Sequence, residues 1–319
     1  MVAEIGHFPR MLQDQPIAAA VPCVTILMAT RNGARYLPAQ LSSIARQTCR
    51  NWQLWVSDDG STDATRDILG RFALGHPLRL LVGPGRGAAA NFLSLLMHPD
   101  LPPGPVAFAD QDDVWRQDKL ARALARLADL PDQTPALYAA DSVIVDRALR
   151  PLSRTLARGA QPSFANALVQ NICSGHTMVL NAAAVALARQ VGTSPGIRHH
   201  DWWLYQLVTG AGGRVCLDRD PVALYRQHGA NVMGRATVLS RMGPLLRGDW
   251  GAAMRDHATA LRCADAVLCP AARSLRDAYL DGFATAGRER VGAFVHHGMA
   301  RSSPAQTLAL QICAFFGRV

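Results

Sequence analysis

Val24-Thr-Ile-Leu-Met-Ala29 carries no charge and is followed at once by Thr30-Arg-Asn-Gly33. A short apolar run closed by turn-forming residues suits a strand buried on both faces, with a polar cluster at its carboxyl end. The same order returns three times. Trp52-Gln-Leu-Trp-Val-Ser57 ends in Asp58-Asp59-Gly60, Leu78-Arg-Leu-Leu-Val82 ends in Gly83-Pro-Gly-Arg-Gly87, and Val106-Ala-Phe-Ala109 ends in Asp110-Gln-Asp-Asp113. Helical patterns lie between these runs. Leu37, Leu41, Ile44 and Ala45 share one face, and Ala64, Ile68 and Phe72 share another behind the N-cap chemistry of Ser61-Thr62-Asp63. Phe92, Leu95 and Leu96 mark a third helix, and residues 117–130 a fourth.

Strand–helix alternation of this kind predicts a mostly parallel sheet flanked by helices, an α/β fold. Ligands of such sheets collect at the carboxyl ends of the strands. Thr30 to Asn32, Asp58-Asp59, Arg86-Gly87 and Asp110 to Asp113 all fall at that edge. Beyond Ala136 the pattern is more mixed, with strands expected near 136–145, 175–180, 214–217 and 222–226. From 234 onward helical stretches dominate, and 11 arginines against 6 acidic residues leave a net +5. The expected organisation is a lead-in over 1–20, an α/β domain over 21–233 and a helical C-terminal segment over 234–319.

The formal charge of +9 first suggests a nucleic-acid partner. The detail argues against it. Lys119 is the only lysine among the 33 basic residues, and no run of five like charges or zinc-finger spacing occurs. Seven scattered cysteines without a C-x-x-C pair read as reduced thiols. No signal-peptide pattern and no apolar run of bilayer-spanning length is found, so the expected location is the cytoplasm or the inner face of the plasma membrane. The basic helical C-terminus, containing Leu308-Ala-Leu-Gln-Ile-Cys-Ala-Phe-Phe316, either packs on the α/β domain or contacts anionic lipid peripherally.

Several clusters carry candidate chemistry. Carboxylates in Asp110-Gln-Asp-Asp113 are spaced to reach a hard divalent cation, magnesium or manganese, although a solvated acidic loop has the same composition. Asp58 and Asp59 can accept a pyrimidine ring N–H or hold a ribose hydroxyl, while Asp63 reads as turn and cap chemistry. Gly83-x-Gly85-x-Gly87 lacks dinucleotide-loop spacing and reads instead as a tight turn letting Arg86 and the backbone approach a ligand. In Arg198-His-His-Asp-Trp-Trp203 the tryptophans suit a core, and Asp201 among aromatics suits a base. His228, in Tyr225-Arg-Gln-His-Gly229, is either a structural histidine or a further metal ligand.

The ordered motifs V-T-I-L-M-A-T-R-N-G, W-V-S-D-D-G-S-T-D, A-D-Q-D-D-V-W, H-H-D-W-W-L and L-Y-R-Q-H-G-x-N, spanning about residues 21–232, resemble family 2 of the inverting glycosyltransferases. The likeness is greatest to the bacterial rhamnosyltransferase-like branch that builds surface polysaccharides. The resemblance implies the GT-A fold. It places Thr30 and Asn32 near the nucleotide, Asp58 or Asp59 on the pyrimidine with Arg86 and Gly87 close by, and Asp110 on the ribose or the metal. It assigns Asp112 to the metal, with His228 completing that site as in some relatives, and Asp201 to the catalytic base. Many relatives carry Glu-Asp where this chain has His200-Asp201. The implied reaction moves a sugar, rhamnose from a dTDP donor first, to a hydroxyl of a saccharide or lipid-linked acceptor. A nucleotidyltransferase and a non-catalytic nucleotide-sugar-binding module are the competing readings.

Overall fold

The computed structural model describes residues 22–155, 161–228, 249–285 and 287–319. The expected lead-in at 1–20 and the expected boundary near 233 both lie outside the described residues.

Four strands form the parallel half of one mixed sheet: β1 (Val24–Thr30), β2 (Trp52–Asp58), β3 (Leu78–Val82) and β4 (Val106–Asp110). Their order is β3-β2-β1-β4, each pairing parallel. Side chains of successive strand residues face opposite sides, so the apolar runs feed two cores. Ile26, Met28, Leu54 and Val56 meet Leu37, Leu41 and Ile44 of α1 (Leu37–Ala45), Leu69 of α2 (Thr65–Ala73) and Leu120, Ala123 and Leu127 of α4 (Lys119–Ala128). Leu27, Trp55 and Phe108 face the other way, against Phe92, Leu95 and Leu96 of α3 (Ala88–Leu96).

The second half of the sheet is where the pattern departs from simple alternation. Short β5 (Val114–Trp115) follows the acidic turn, and β6 (Ala136–Val145) bonds to hairpin strand β7 (Pro151–Arg154). Only Val179–Leu180 of the expected 175–180 strand is extended, as β8, because Gly175–Thr177 forms a 3-10 turn. The two strands expected at 214–217 and 222–226 are one, β9 (Arg214–Arg226), running parallel to β6 with a register shift between Ala140 and Ser142. The completed order is β3-β2-β1-β4-β8-β6-β9-β5, with β8 antiparallel to β4 and β6 and β5 antiparallel to β9.

Helices α5 (Phe164–Val169), α6 (Ala182–Val191) and α7 (His200–Gly210) cover the α3 face. Beyond the undescribed stretch come α8 (Asp249–Ala260), α9 (Pro270–Asp281), α10 (Gly287–His296) and α11 (Pro304–Phe315). Met254, Leu261, Tyr279, Phe294 and Leu310 from this region join Trp202, Trp203 and Phe164 in one continuous apolar core. Truncating a buried aromatic of this kind typically costs about 3–5 kcal/mol, so the C-terminal helices are anchored on the α/β domain. All seven cysteines are free thiols.

Candidate functional site

Register brings the candidate residues to one edge. Thr30 lies opposite Asp58 and Ala29 opposite Asp110, while Asp58 lies opposite Val82. Four strand ends therefore deliver residues 30–33, 58–61, 83–87 and 110–113 to the same side of the sheet.

The first acidic pair is committed to holding its own loops. Asp58 is buried, accepting from the Thr30 hydroxyl at 3.0 Å and from the Ser61 N–H at 3.0 Å and hydroxyl at 2.5 Å. Asp59 is buried too, and its two oxygens accept from the N–H groups of Gly85 at 2.6 Å and Gly87 at 3.1 Å. These two amides are therefore engaged by Asp59. Gly85 and Gly87 have φ of 68° and 87°, and a Cβ at Gly83 would lie 2.6 Å from an Asp59 oxygen, so the glycines are required by the turn. Arg86 at the turn's tip is exposed. Asn32 takes a positive φ of 49° and accepts the Thr62 N–H at 2.8 Å, pinning the first loop to the second. Asp63 is not the cap of α2, whose N-cap is Ala64; its carboxylate accepts from Thr65 and Ala34 N–H instead.

The second acidic turn is arranged differently. Gln111 clamps the Arg31 backbone, accepting its N–H at 2.9 Å and donating to its carbonyl at 3.0 Å. Asp112 meets the His228 imidazole at 2.7 Å, and both line an open cleft of about 470 Å³ together with Arg31, Asn32, Tyr36 and Arg147. His228 stacks on Tyr36, centroids 4.9 Å apart. Asp113 points the other way. It is fully buried, accepts the Arg226 N–H at 3.1 Å through one oxygen, and its other oxygen has no partner. Burial pushes the Asp113 carboxyl well up, with repulsion from Asp110 and Asp112 adding. Burial, then the carboxylates of Asp112 and Asp201, pushes Asp110 up to about 7. The sole lysine, Lys119, is fully buried behind this turn. Its ammonium donates to the His176 carbonyl at 2.6 Å and lies 3.3 Å from the Trp115 ring centroid, while Asp113 and Asp110 offset part of its desolvation.

Asp201 enters from α7. The N-cap is His199, so Asp201 occupies the first turn, accepting the Gly175 N–H at 2.9 Å and the Trp202 N–H at 2.8 Å. Trp202 and Trp203 are core residues, and the Trp202 indole donates to the Ala167 carbonyl at 2.6 Å. His200 is buried and stacked on Phe92 at 4.1 Å, and burial holds its pKa down to about 4, so it is neutral beside Asp201. The α7 start is held from the C-terminal helices. His257 on α8 accepts the N–H groups of Arg198 and His199, both at 3.2 Å, and Asp256 pairs with Arg198. Desolvation holds His257 down to about 3, consistent with an unprotonated acceptor nitrogen.

Against known proteins, the model of the family Glycosyl transferase family 2 matches residues 25–184. A dTDP-rhamnosyl transferase of Shigella flexneri, RfbG, is 30% identical over 251 residues, 70% of this chain and 80% of that protein. The chain belongs to glycosyltransferase family 2. It is therefore a glycosyltransferase, and the nucleotidyltransferase and non-catalytic readings fall away. A PGL/p-HBAD biosynthesis glycosyltransferase of Mycobacterium tuberculosis is 48% identical over 63 residues, 20% of this chain and 25% of that protein. Among solved structures, S. aureus TarS 1-349 in complex with UDP superposes with a TM-score of 0.58 at 16% identity, covering 93% of this chain and 88% of that one. A Pyrobaculum calidifontis mannosyltransferase in complex with GDP-Man and Mn2+ gives 0.51 at 18% identity, covering 96% and 90%. These likenesses establish the GT-A fold.

Within this family 2 glycosyltransferase the fold brings Asp110, Asp112, Asp201 and His228 towards one another. Thr30, Asp58 and Asp59 are buried at the neighbouring strand ends, and Asn32 lines the cleft. Two groupings offer metal ligands. Asp110, Asp113 and His176 place ligand atoms within 4.8 Å of one another. The unpartnered Asp113 oxygen favours that trio. Against it stand the burial of Asp113 and His176 and the Lys119 side chain, which already occupies the charge-compensating place. Asp112 and His228, open to the cleft, suit an exchangeable ion better. Sequence reading missed Lys119, Asp113 as a buried acid, and His176. Lys119 follows an acidic turn and opens an amphipathic helix, where a lysine is ordinarily solvated.

Proposed function

We propose that this glycosyltransferase is a metal-dependent, inverting enzyme that transfers a sugar from a nucleoside-diphosphate donor to an acceptor hydroxyl. The observation that carries this reading is the approach of Asp201, from α7, to the acidic turn: it accepts the N–H of Gly175, and the next residue, His176, has its ring within 4.8 Å of the carboxylates of Asp110 and Asp113. Asp112 and His228 would hold a magnesium or manganese ion. When bound, that ion supplies Lewis-acid stabilisation of the diphosphate leaving group.

Asp201 takes the proton of the acceptor hydroxyl as its oxygen attacks the anomeric carbon. The bond from that carbon to the diphosphate oxygen breaks on the opposite face, so the configuration inverts. Asp201 is fixed by the Gly175 and Trp202 amides, which orient the carboxylate while leaving it lone pairs to accept a proton. Neutral His200 beside it adds no positive charge that would weaken the base. Thr30, Asn32, Asp58, Asp59, Arg86 and Gly87 form the nucleotide side, with Asp110 towards the ribose. Asp58 and Asp59 act there chiefly by holding the loops, with their remaining lone pairs available to a base or ribose.

The donor reading, a dTDP-linked sugar and rhamnose first, is supported by the similarity to the Shigella flexneri dTDP-rhamnosyl transferase. A saccharide or lipid-linked acceptor is supported by the similarity, 32% identity over 105 residues, to an Escherichia coli glucosyltransferase named for the acceptor alpha-D-GlcNAc-diphosphoundecaprenol. Peripheral membrane contact has its own support. Leu308, Ile312, Phe315 and Phe316 are 58, 49, 45 and 69% exposed, and spacings of four, three and one put them on one side of α11. No helix among the described residues is long and apolar enough to cross a bilayer. Co-sedimentation with anionic vesicles at low salt, lost in Leu308→Ser/Ile312→Ser, checks that contact; a fully soluble wild type removes it.

The test of the reaction is nucleoside-diphosphate release with dTDP- and UDP-linked sugars compared side by side, with and without chelator. Release from dTDP-rhamnose that is abolished by chelation and restored by magnesium or manganese is expected. Full turnover in excess chelator removes the ion, and binding confined to uridine or guanosine donors removes the dTDP assignment.

A further inference from the structure

The cleft beside Asp112 is unusually cationic. Arg31, Arg35 and Arg147 line it, and all three are exposed. Among the described residues none of the three has a carboxylate within ion-pair distance. The acidic group in the lining is Asp112, which already meets His228. Three guanidinium groups around one cleft with a single, already hydrogen-bonded carboxylate give it a positive field that attracts anions.

The backbone beneath these arginines is fixed from below. The buried Arg226 guanidinium donates to the Asp112 carbonyl at 2.8 Å and to the Arg147 carbonyl at 2.7 Å, and lies 4.6 Å from the Tyr36 ring centroid. One side chain therefore joins the acidic turn, the β6–β7 hairpin and the loop before α1. The Gln111 amide clamps the Arg31 backbone to the same turn. Guanidinium groups on a fixed frame present parallel N–H donors that match the oxygens of a phosphate in two-point contacts.

We propose that Arg31, Arg35 and Arg147 form a phosphoryl-binding site, separate from the Asp112–His228 pair. This rests on the glycosyl-transfer reading, which offers two sources of the same chemistry: the diphosphate of the donor, or a phosphate carried by the acceptor. A donor diphosphate held there meets positive charge where its own negative charge develops as the bond to the anomeric carbon breaks, whereas an acceptor phosphate held there is only positioned.

Calorimetric titration of the full chain in magnesium separates the possibilities. The first arm titrates dTDP; the second titrates inorganic pyrophosphate into protein saturated with dTDP, at matched ionic strength. Wild type is compared with Arg35→Gln/Arg147→Gln, both exposed positions whose change leaves the core intact, with circular dichroism confirming the fold. A tenfold or greater weakening of dTDP assigns the site to the donor diphosphate. Unchanged dTDP binding with a tenfold or greater loss of pyrophosphate binding assigns it to an acceptor phosphate. Equal affinities of wild type and variant in both arms overturn the site, as does a wild type that binds neither ligand. Arginine-dependent pyrophosphate binding by protein that ignores dTDP would strike down the donor reading and leave the site standing.

Discussion

The turns after β2 and β4 look alike in sequence, each an apolar strand running into a pair or trio of aspartates, yet they hold charge in opposite ways. At Asp58-Asp59 both carboxylates are buried and hydrogen-bonded to hydroxyls and amides of neighbouring loops. At Asp110–Asp113 the carboxyls are crowded against one another. Asp110 is pushed up to about 7, Asp113 is buried with one oxygen unpartnered, and Asp112 opens to a cleft. The first arrangement stores stability in hydrogen bonds. The second keeps unresolved charge, which is what a cation-assisted site requires.

That contrast is sharpest for Asp112. Asp112→Ala is expected to lower turnover by roughly 10²–10⁴-fold, in line with losing several kcal/mol of leaving-group stabilisation, while leaving the melting temperature nearly unchanged. A steady-state assay beside a thermal melt checks both halves. A large fall in melting temperature would mean the second turn is structural after all.

Lys119→Met attacks the same turn from behind. Removing the buried amine takes away its attraction for the Asp113 and Asp110 carboxyls and leaves the His176 carbonyl without this donor, an expected loss of about 1–3 kcal/mol. Urea denaturation is the readout. If the loss is below about 1 kcal/mol, Lys119 is not the counter-charge of the acidic turn.

Asp59→Ala is expected to do the reverse of Asp112→Ala. It removes two amide hydrogen bonds to a carboxylate, each worth about 1.5–3 kcal/mol at most because Gly85 and Gly87 are exposed, and should lower stability more than the turnover of the fraction that stays folded. Active-site titration with nucleotide, combined with melting, separates the two effects.

The smallest expected effect concerns acid. His200 and His257 are held by burial down to about 4 and about 3, below the unfolded value near 6.5. The unfolded chain therefore binds protons first, and their contribution is complete above pH 6.5 and lost as pH falls through 6.5 towards 3–4. Asp110, raised to about 7, acts in the opposite sense over part of this range, so a variant is needed to isolate the histidines. His257→Gln should flatten the fall of melting temperature between pH 6.5 and 4. An unchanged slope would exclude His257 as a proton-linked contributor.

Legibility in the sequence follows the same division. The parallel half could be read because each strand is an apolar run of several residues ending in polar turn chemistry, and the structure extends β1, β2 and β4 by only one residue each, to Thr30, Asp58 and Asp110. The second half could not. β5 and β8 have two residues each, too short for periodicity, and β9 looks like two strands because Asp218, Arg219 and Asp220 interrupt its apolar pattern. In the site, Asp110, Asp112, Asp201 and His228 stand out as residue types, and their approach is a product of topology. Lys119, Asp113 and His176 were hidden because burial is set by long-range packing: the Lys119 ammonium meets a carbonyl 57 residues away. Nor does sequence disclose that α8 holds the start of α7 through His257, a contact spanning 59 residues to Arg198.

The central claim is that Asp201, held at the acidic turn by α7, is the general base, and Asp201→Asn tests it most directly. Asparagine keeps the shape and an oxygen that can accept an amide N–H, but it cannot take a proton. Single-turnover transfer and dTDP affinity are measured on the same folded protein. The account predicts unchanged nucleotide affinity with transfer reduced by about 10²–10⁴-fold. Transfer within a few-fold of wild type would contradict it, leaving Asp201 as an acceptor of the Gly175 and Trp202 amides and nothing more.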